Sequence, residues 1–313
     1  MELVVQRDKL NEVLSVVSKG VKDRAVNQVL ETLHFKVDDG RLQITGTDLR
    51  ISIRSTIPVE CDESAELCVS GKLFADFISN LPSGPVKMVL TKRKRLKCEG
   101  GTFKSSFTTM KPDDYPRVFE DLEDLQWVEV DPNHLSEAIR STVFCTSSDA
   151  SRPALQALQV TKEDEKLVFR ATDGHRMSRF ELPILGDGTW APSLIPGYNL
   201  QIIEKVLGEE EDTVNLASKE NQVIFLVSKY MFSSQLIASE FPELDRILSK
   251  EPSAKLICST SELGKTLRVM NLFAVRSRDL LARSVTLNYE FPPSELENGW
   301  LELRINVPEI GRG

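Results

Sequence analysis

The sequence is poor in the residues that carry most enzyme chemistry. Among its 313 residues there are three histidines (His34, His134 and His175) and five cysteines (Cys61, Cys68, Cys98, Cys145 and Cys258). The cysteines are odd in number and form no CxxC pair, which speaks against a disulfide framework and against a zinc site. No GxxxxGKS/T phosphate loop, HExxH or GxSxG motif occurs. With so few histidines a His-centred triad or metal cluster has little to draw on, and Asp173 beside His175 is too weak a pair to name a reaction. Long hydrophobic runs are missing too. Residues 223–227 are about the longest, far below the roughly 18–20 apolar residues of a membrane span, and the start MELVVQRDKL has no secretory apolar core. These absences predict a non-catalytic chain with no cofactor, no metal and no membrane partner, kept in a reducing cytoplasm. A basic excess is also lacking. Lys and Arg number 39 against 47 Asp and Glu, a formal charge of −8, so any contact with nucleic acid must be local rather than bulk attraction.

What is present is the make-up of an ordinary globular protein, with 41% hydrophobic, 27% charged and 7% aromatic residues. At roughly 100–200 residues per domain the length predicts two or three domains. An internal repeat gives their organisation. Leu3-x-Val5 followed by residues 7–17 recurs as Val128-x-Val130 followed by residues 132–142, with Leu10 mapping to Leu135 at an offset of 125. The same offset carries Thr47-Asp48 to Thr172-Asp173 and Phe77-Ile78 to Ile202-Ile203. Tyr115-Pro116 maps to Phe241-Pro242 at 126, and Leu3 and Leu10 recur once more as Leu256 and Leu263. A shift of 64 divides each unit again: it takes Leu10, Val13, Leu14 and Val17 to Phe74, Phe77, Ile78 and Leu81, and Ala138, Ile139, Thr142 and Val143 to Ile202, Ile203, Val206 and Leu207. Such i, i+3, i+4, i+7 spacing predicts amphipathic helices with one face on a core. Asp131 before Pro132 predicts a helix start, and Gly208 after Leu207 a helix stop. Asp38-Asp39-Gly40 and Glu99-Gly100-Gly101 predict turns between alternating strands, and Lys92-Arg93-Lys94-Arg95-x-Lys97 reads as a hairpin with a charged edge. The brick is a strand, a helix and further strands, and two bricks lay a helix pair on a curved antiparallel sheet.

Three blocks on this repeat carry a resemblance. With TGTDLR at 45–50, ATDGHRM at 171–177 and FPELDRI at 241–247, the sequence is similar, from Met1 to about Glu309, to the bacterial DNA polymerase III beta subunit family, the sliding clamps. The resemblance implies an α+β fold of tandem DNA-clamp domains, each with curved antiparallel sheets and two helices, at 1–125, 126–252 and, as a partial third domain, 253–313. It implies a cytoplasmic, non-catalytic processivity factor of DNA replication. In that family two chains close head to tail as a homodimer ring around duplex DNA, without reading its sequence, and tether DNA polymerase and the clamp loader through short linear motifs. Two rival readings stand beside it: an accessory clamp-like adaptor that binds peptides without closing on DNA, and a nuclease or nucleotide-processing enzyme with metal-dependent turnover.

For DNA, resemblance and local charge single out Arg24, Lys22, Lys72, Arg140, Arg152 and Lys205, with Lys9, Lys19, Lys265 and Arg268 as further cations meeting phosphates. Arg24 matches an arginine that family members use on DNA. Asp149, Pro153 and Ala154, and likewise Gly197 and Tyr198, depart from the polar, aromatic or basic groups usual at those places. By the same resemblance Leu155, Thr172, Gly174, His175, Arg176, Met177, Pro242, Arg246 and Ile247 wall a hydrophobic cleft for peptides anchored by Leu or Phe, here without the terminal residues that complete it in the family. Read alone, Thr172-Asp173-Gly174 is a strand-ending turn to which His175 hydrogen-bonds. At the dimer contact the resemblance sets Lys104 and Phe107 against Asn271 and Leu272 of the partner subunit. Finally, the repeat leaves a fifth brick unpaired, with Leu263, Thr266, Leu267 and Met270 on its helix and Val285, Leu287, Leu301, Leu303 and Ile305 on its strands patterned for burial. That predicts a segment from about Ala254 that is poorly ordered or covered by another chain, and a weakened ring.

Overall fold

The computed structural model describes residues 1–61, 63–120, 122–208, 213–244, 256–274, 285–290, 299–307 and 311–312. They fall into two units, Met1–Leu244 and Asp245–Gly313. In the first unit one order of elements runs twice. β1 (Glu2–Gln6) and α1 (Arg7–Val17) lead into β2 (Thr32–Asp38), β3 (Arg41–Thr47), β4 (Ile51–Pro58), the short β5 (Glu60–Cys61) and β6 (Ala65–Ser70); α2 (Gly71–Ser79) is followed by β7 (Pro85–Leu90), β8 (Arg95–Gly100) and β9 (Phe103–Met110). The second run is β10 (Val128–Val130), α3 (Pro132–Val143), β11 (Ala157–Glu163), β12 (Lys166–Thr172), β13 (Met177–Pro183), β14 (Ser193–Pro196), α4 (Gly197–Glu204), β15 (Val214–Lys219), β16 (Gln222–Val227) and β17 (Tyr230–Gln235).

Most of each helical stripe read from the sequence is buried, while Phe77 and Val143, and Val206 and Leu207 beyond the end of α4, are half-buried. Leu10, Val13, Leu14 and Val17 of α1, Phe74 and Ile78 of α2, Leu135, Ala138, Ile139 and Thr142 of α3, and Ile202 and Ile203 of α4 are all buried. Each large side chain so covered contributes about 1.5–3 kcal/mol. Asp131 caps α3 by accepting a hydrogen bond from the His134 N–H at 2.8 Å, with Pro132 in the first turn. One helix boundary differs: α4 ends at Glu204, before Gly208, because the N–H groups of Val206 and Leu207 turn back to the Ile203 carbonyl. The Asp39-Gly40 hairpin has φ of +44° and +68°, the paired left-handed geometry that joins two strands through two residues. The basic run forms the β7–β8 hairpin, in which the Thr91 N–H donates to the Arg95 carbonyl at 2.9 Å.

All pairings within the two sheets of this unit are antiparallel. A four-stranded sheet, β13-β12-β11-β14, stands beside a thirteen-stranded one, β10-β15-β16-β17-β4-β3-β2-β6-β9-β8-β7-β1-β5. The larger sheet is continuous across the repeat because β17 pairs with β4, Phe232 opposite Ile53. Side chains reinforce that seam. The Asn199 Nδ2 donates to the Arg50 carbonyl at 3.1 Å and to the Ser234 Oγ at 2.8 Å, and Lys229 pairs with Glu12. Arg54 donates to the Val118 carbonyl at 3.0 Å while its guanidinium lies 4.6 Å from the centre of the Phe119 ring.

In the second unit α5 (Thr260–Ala274) accompanies β18 (Val285–Glu290), β19 (Trp300–Val307) and the short β20 (Gly311–Arg312), paired in that order. Among its described residues only Ile305 is buried. Leu263, Thr266, Met270, Val285, Leu301 and Leu303 are half-buried, and Leu267 and Leu287 are exposed, so the face patterned for burial is incompletely covered. The expectation for the segment from Ala254 falls partly on residues outside those described.

Two glycines fix how closely the end of α1 approaches β3. A Cβ on Gly46 would stand 2.5 Å from the Val17 carbonyl oxygen, and one on Gly20 would stand 2.7 Å from that of Gly46. Both obstacles are backbone, so neither can swing aside. Gly46→Ala should lower stability by about 1–3 kcal/mol, the cost of overpacking, measured as a fall in the denaturant midpoint.

Candidate peptide cleft and cationic helix ends

The segment linking β12 to β13 is a turn that bonds to itself. The Thr172 Oγ1 donates to the Arg176 carbonyl at 2.8 Å and accepts from the Gly174 N–H at 3.1 Å. The Asp173 Oδ1 accepts from the N–H groups of His175 and Arg176, both at 3.0 Å. Gly174 has φ +91°, a conformation that strains any side chain. Those two backbone N–H groups, then the Arg176 guanidinium, hold the Asp173 carboxyl down at about 2. His175 thus serves the turn through its backbone alone, and its exposed ring has no hydrogen bond among the described residues.

Arg176 fastens the turn to the end of α3. Its Nε donates to the Asp173 Oδ2 at 2.9 Å, its Nη2 donates to the Phe144 carbonyl at 2.7 Å, and its guanidinium lies 5.4 Å from the Phe144 ring centre. Phe144 was missed in the sequence because it falls off the buried stripe of α3; it is 53% exposed. Of the residues expected in the cleft, Leu155 and Thr172 are buried, Met177 is half-buried, and Gly174, His175, Arg176 and Pro242 are exposed. Ile237 and Phe241 pack beside Ala154, Ala157 and Leu194 as a small separate core. Arg246 and Ile247 lie outside the described residues. A rigid turn with fixed polar groups suits recognition of an extended peptide.

The cations singled out for DNA divide into two groups. Lys72 pairs with Asp23, Arg140 with Glu204 and, at 3.6 Å, Arg152 with Asp149. Lys22, Arg24 and Lys205 are exposed and form no ion pair among the described residues. Arg24 holds φ +54°. Lys9 is exposed on α1, and Lys265 and Arg268 are exposed on α5. Burial first, and the neighbouring Lys205 second, push the Lys19 ammonium below the ordinary lysine range. The ends of α1 and α4, from opposite halves of the repeat, therefore bring two like charges together.

The dimer expectation needs one correction. The Phe107 ring is 6% exposed and packs edge-on against Phe74 and Phe77 at centroid distances of 5.3 Å, because α2 covers that face of β9. It belongs to the core and offers no surface to a partner. Lys104 is exposed and pairs with Glu99 at 3.0 Å, and Asn271 and Leu272 are exposed on α5. Among the described residues β9 has an open side: Phe103–Thr108 pair with β8 only, while pairing to β6 is confined to Thr109 and Met110.

Comparison with known proteins gives matches over the same ground. The model of the DNA polymerase III beta subunit, N-terminal domain, matches residues 1–119, and that of its central domain matches residues 129–243. The Beta sliding clamp of Halalkalibacterium halodurans is 26% identical over 323 residues, covering 100% of this chain and 82% of that protein. That of Bacillus subtilis is 24% identical over 322 residues with the same coverage. Among solved structures, the Bacillus subtilis DNA polymerase sliding clamp has a TM-score of 0.91 at 24% identity, and a putative DNA polymerase III beta subunit from Eubacterium rectale one of 0.89 at 21%, each over 100% of this chain and 82% of the other.

The turn's dependence on Asp173 is testable by pH. A carboxyl held below its ordinary 3.8 contributes order that is complete above that value and is lost as pH falls through about 2. Amide exchange of His175 and Arg176 should therefore stay protected at pH 5, lose protection relative to neighbouring strands near pH 2, and be unprotected at both pH values in Asp173→Ala.

Proposed function

The chain belongs to the DNA polymerase III beta subunit family, the non-catalytic beta sliding clamps, and from that premise we propose that it is a cytoplasmic DNA polymerase processivity factor. It encircles duplex DNA as a head-to-tail homo-oligomer and tethers DNA polymerase and a clamp loader by their short linear motifs. The observation that carries this reading is the pair of successive family matches on two halves tied into one sheet. The domains are 1–125, 126–252 and 253–313. The turn at Thr172–Met177, with Leu155 and Pro242, receives the peptide. The open side of β9 near Lys104 receives the third domain of another copy.

DNA is met through phosphates by Arg24, Lys22 and Lys205, with Lys72, Arg140 and Arg152 released from their carboxylates. The exposed Lys72–Asp23 and Arg152–Asp149 pairs are worth only about 0–1 kcal/mol each, so a phosphate competes with them readily. A second reading, a peptide adaptor that does not close on DNA, is supported by those same pairs, which leave fewer cations unpaired.

Binding to linear duplex should be weak, indifferent to sequence and steeply weakened by salt. Arg24→Ala should reduce the salt slope by about one phosphate contact. A sequence preference or a salt-independent affinity would refute the sliding reading. Retention on closed circular DNA that is lost on linearisation, together with longer polymerase runs without added turnover of nucleotide, would support the ring over the adaptor. Met177→Lys should abolish binding of a Leu-Phe peptide to the central half, read by fluorescence anisotropy.

A further inference from the structure

The turn at Thr172–Met177 has a copy in the first half of the chain. There the Thr47 Oγ1 accepts from the Leu49 N–H at 3.0 Å, and the Asp48 Oδ1 accepts from the N–H groups of Arg50 and Ile51, both at 2.9 Å. These are the bonds that Thr172 and Asp173 make to Gly174, His175 and Arg176. Leu49 stands where Gly174 stands, at φ +72° against +91°. A branched side chain is thereby held in the left-handed region that favours glycine, and it is 52% exposed. Burial does not account for a leucine there.

Beside this turn lies a cleft of about 380 Å³, within the size range of ligand sites. Leu49, Pro116, Val118 and Phe119 line it from the first half, and Pro116 is the repeat counterpart of Pro242. Across the β4–β17 seam Gln222 lines it from the second half. The Gln222 Oε1 accepts from the Ser233 Oγ at 2.7 Å, which leaves its amide N–H groups as donors. At the rim Arg117 is exposed and meets only Glu120 as an ion partner among the described residues, at 3.9 Å. The lining is polar for the most part, with Glu120 and Glu220 beside Arg117 and Lys219, and Leu49, Pro116, Val118 and Phe119 form its apolar portion. That portion, the amide donors and the loosely paired guanidinium complement a short chain with an apolar side chain, backbone carbonyls and one carboxylate seated on the Arg117 side.

We propose that this cleft is a second peptide-binding site, the repeat copy of the central one, taking a short peptide whose Leu or Phe anchor lies next to a carboxylate. The inference rests on the peptide-binding reading of the central turn for its choice of ligand class. Leu49 supplies the apolar contact that a glycine cannot, and Arg117 meets the carboxylate.

A fluorescein-labelled peptide Gln-Ser-Ser-Leu-Phe with a free C-terminal carboxylate, titrated into the full chain, tests it. Two sites per chain are expected. Leu49→Lys and Leu49→Gly should each remove one site, Met177→Lys should remove the other, and Arg117→Glu should weaken the Leu49-dependent site about tenfold. Leu49→Gly relieves the backbone, so its melting temperature should be held or raised, which separates lost binding from lost folding. A single site, abolished by Met177→Lys and untouched by both Leu49 variants, overturns the inference and leaves the central cleft standing. Binding lost in the Leu49 variants but unchanged in Met177→Lys upholds the inference and removes the central assignment. No binding at all overturns it.

Discussion

The pairing of β17 with β4 is the contact on which the arrangement of the first unit depends. Ile53 and Phe232 sit opposite one another at full burial, so the backbone groups between them have no water to turn to. Leaving such a group unpaired costs about 1–3 kcal/mol, and a strand torn from this seam would leave several. The two runs of elements are thus held in one register, and their relative placement is as fixed as that of neighbouring strands in one hairpin. Three consequences follow from that single ladder. The ends of α1 and α4 come close enough for Lys205 to act on Lys19; Glu12 reaches Lys229; and Leu49 and Gln222 line one cleft.

Within that frame the two Thr-Asp turns show how a repeat diverges. Both close through the same hydroxyl and carboxylate bonds, so the backbone course is kept by two short polar side chains. The residue at the left-handed position is then free to vary in kind, since the turn is determined on either side of it. The central copy has Gly174 there and uses Arg176, which reaches back to Phe144. The first copy has Leu49 there, and its Arg50 carbonyl accepts from the Asn199 Nδ2 at 3.1 Å and from the Gln235 N–H at 2.9 Å. One turn is tied to its helix, the other to the opposite half of the repeat.

The helices and turns were legible in the sequence because their determinants are local. A stripe such as Leu10, Val13, Leu14 and Val17 states its own period, and Asp131-Pro132 or Asp39-Gly40 states its own dihedral angles. The repeat was legible for the same reason, as identical local patterns at a fixed offset. The β4–β17 seam was not: alternation shows that a strand is half-buried without naming a partner some 180 residues away. Phe107 misled in a related way. It lies two residues along the same face from Ser105 and four from Phe103, which is 54% exposed, and only the position of α2 above it decides that its ring is core. Of the candidate site, Thr172 and Asp173 were readable as a turn, whereas the Arg176–Phe144 contact joins residues 32 apart that no periodicity connects.

The electrostatics turn on the difference between total charge and local charge. With 47 acidic residues against 39 basic ones, the chain carries a net negative charge, but at moderate salt its field is screened beyond about 10 Å. Inside that length only neighbours matter. Asp23, Glu204 and Asp149 each neutralise one of the candidate cations; the Asp23 and Asp149 pairs are exposed, so water and salt already weaken them, while Glu204 is mostly buried. Lys19 and Lys205 are different in kind, because they are like charges that act on one another: desolvation first, and that repulsion second, hold the Lys19 ammonium below the ordinary lysine range. The paired cations must shed a carboxylate before they meet an anion, whereas Lys19 and Lys205 have none to shed among the described residues. Under the processivity reading that is a useful division. Encirclement supplies the lasting hold, the acidic excess adds no attraction that would hold DNA to the outside, and a small set of cations at the helix ends provides contacts that are made and broken one phosphate at a time.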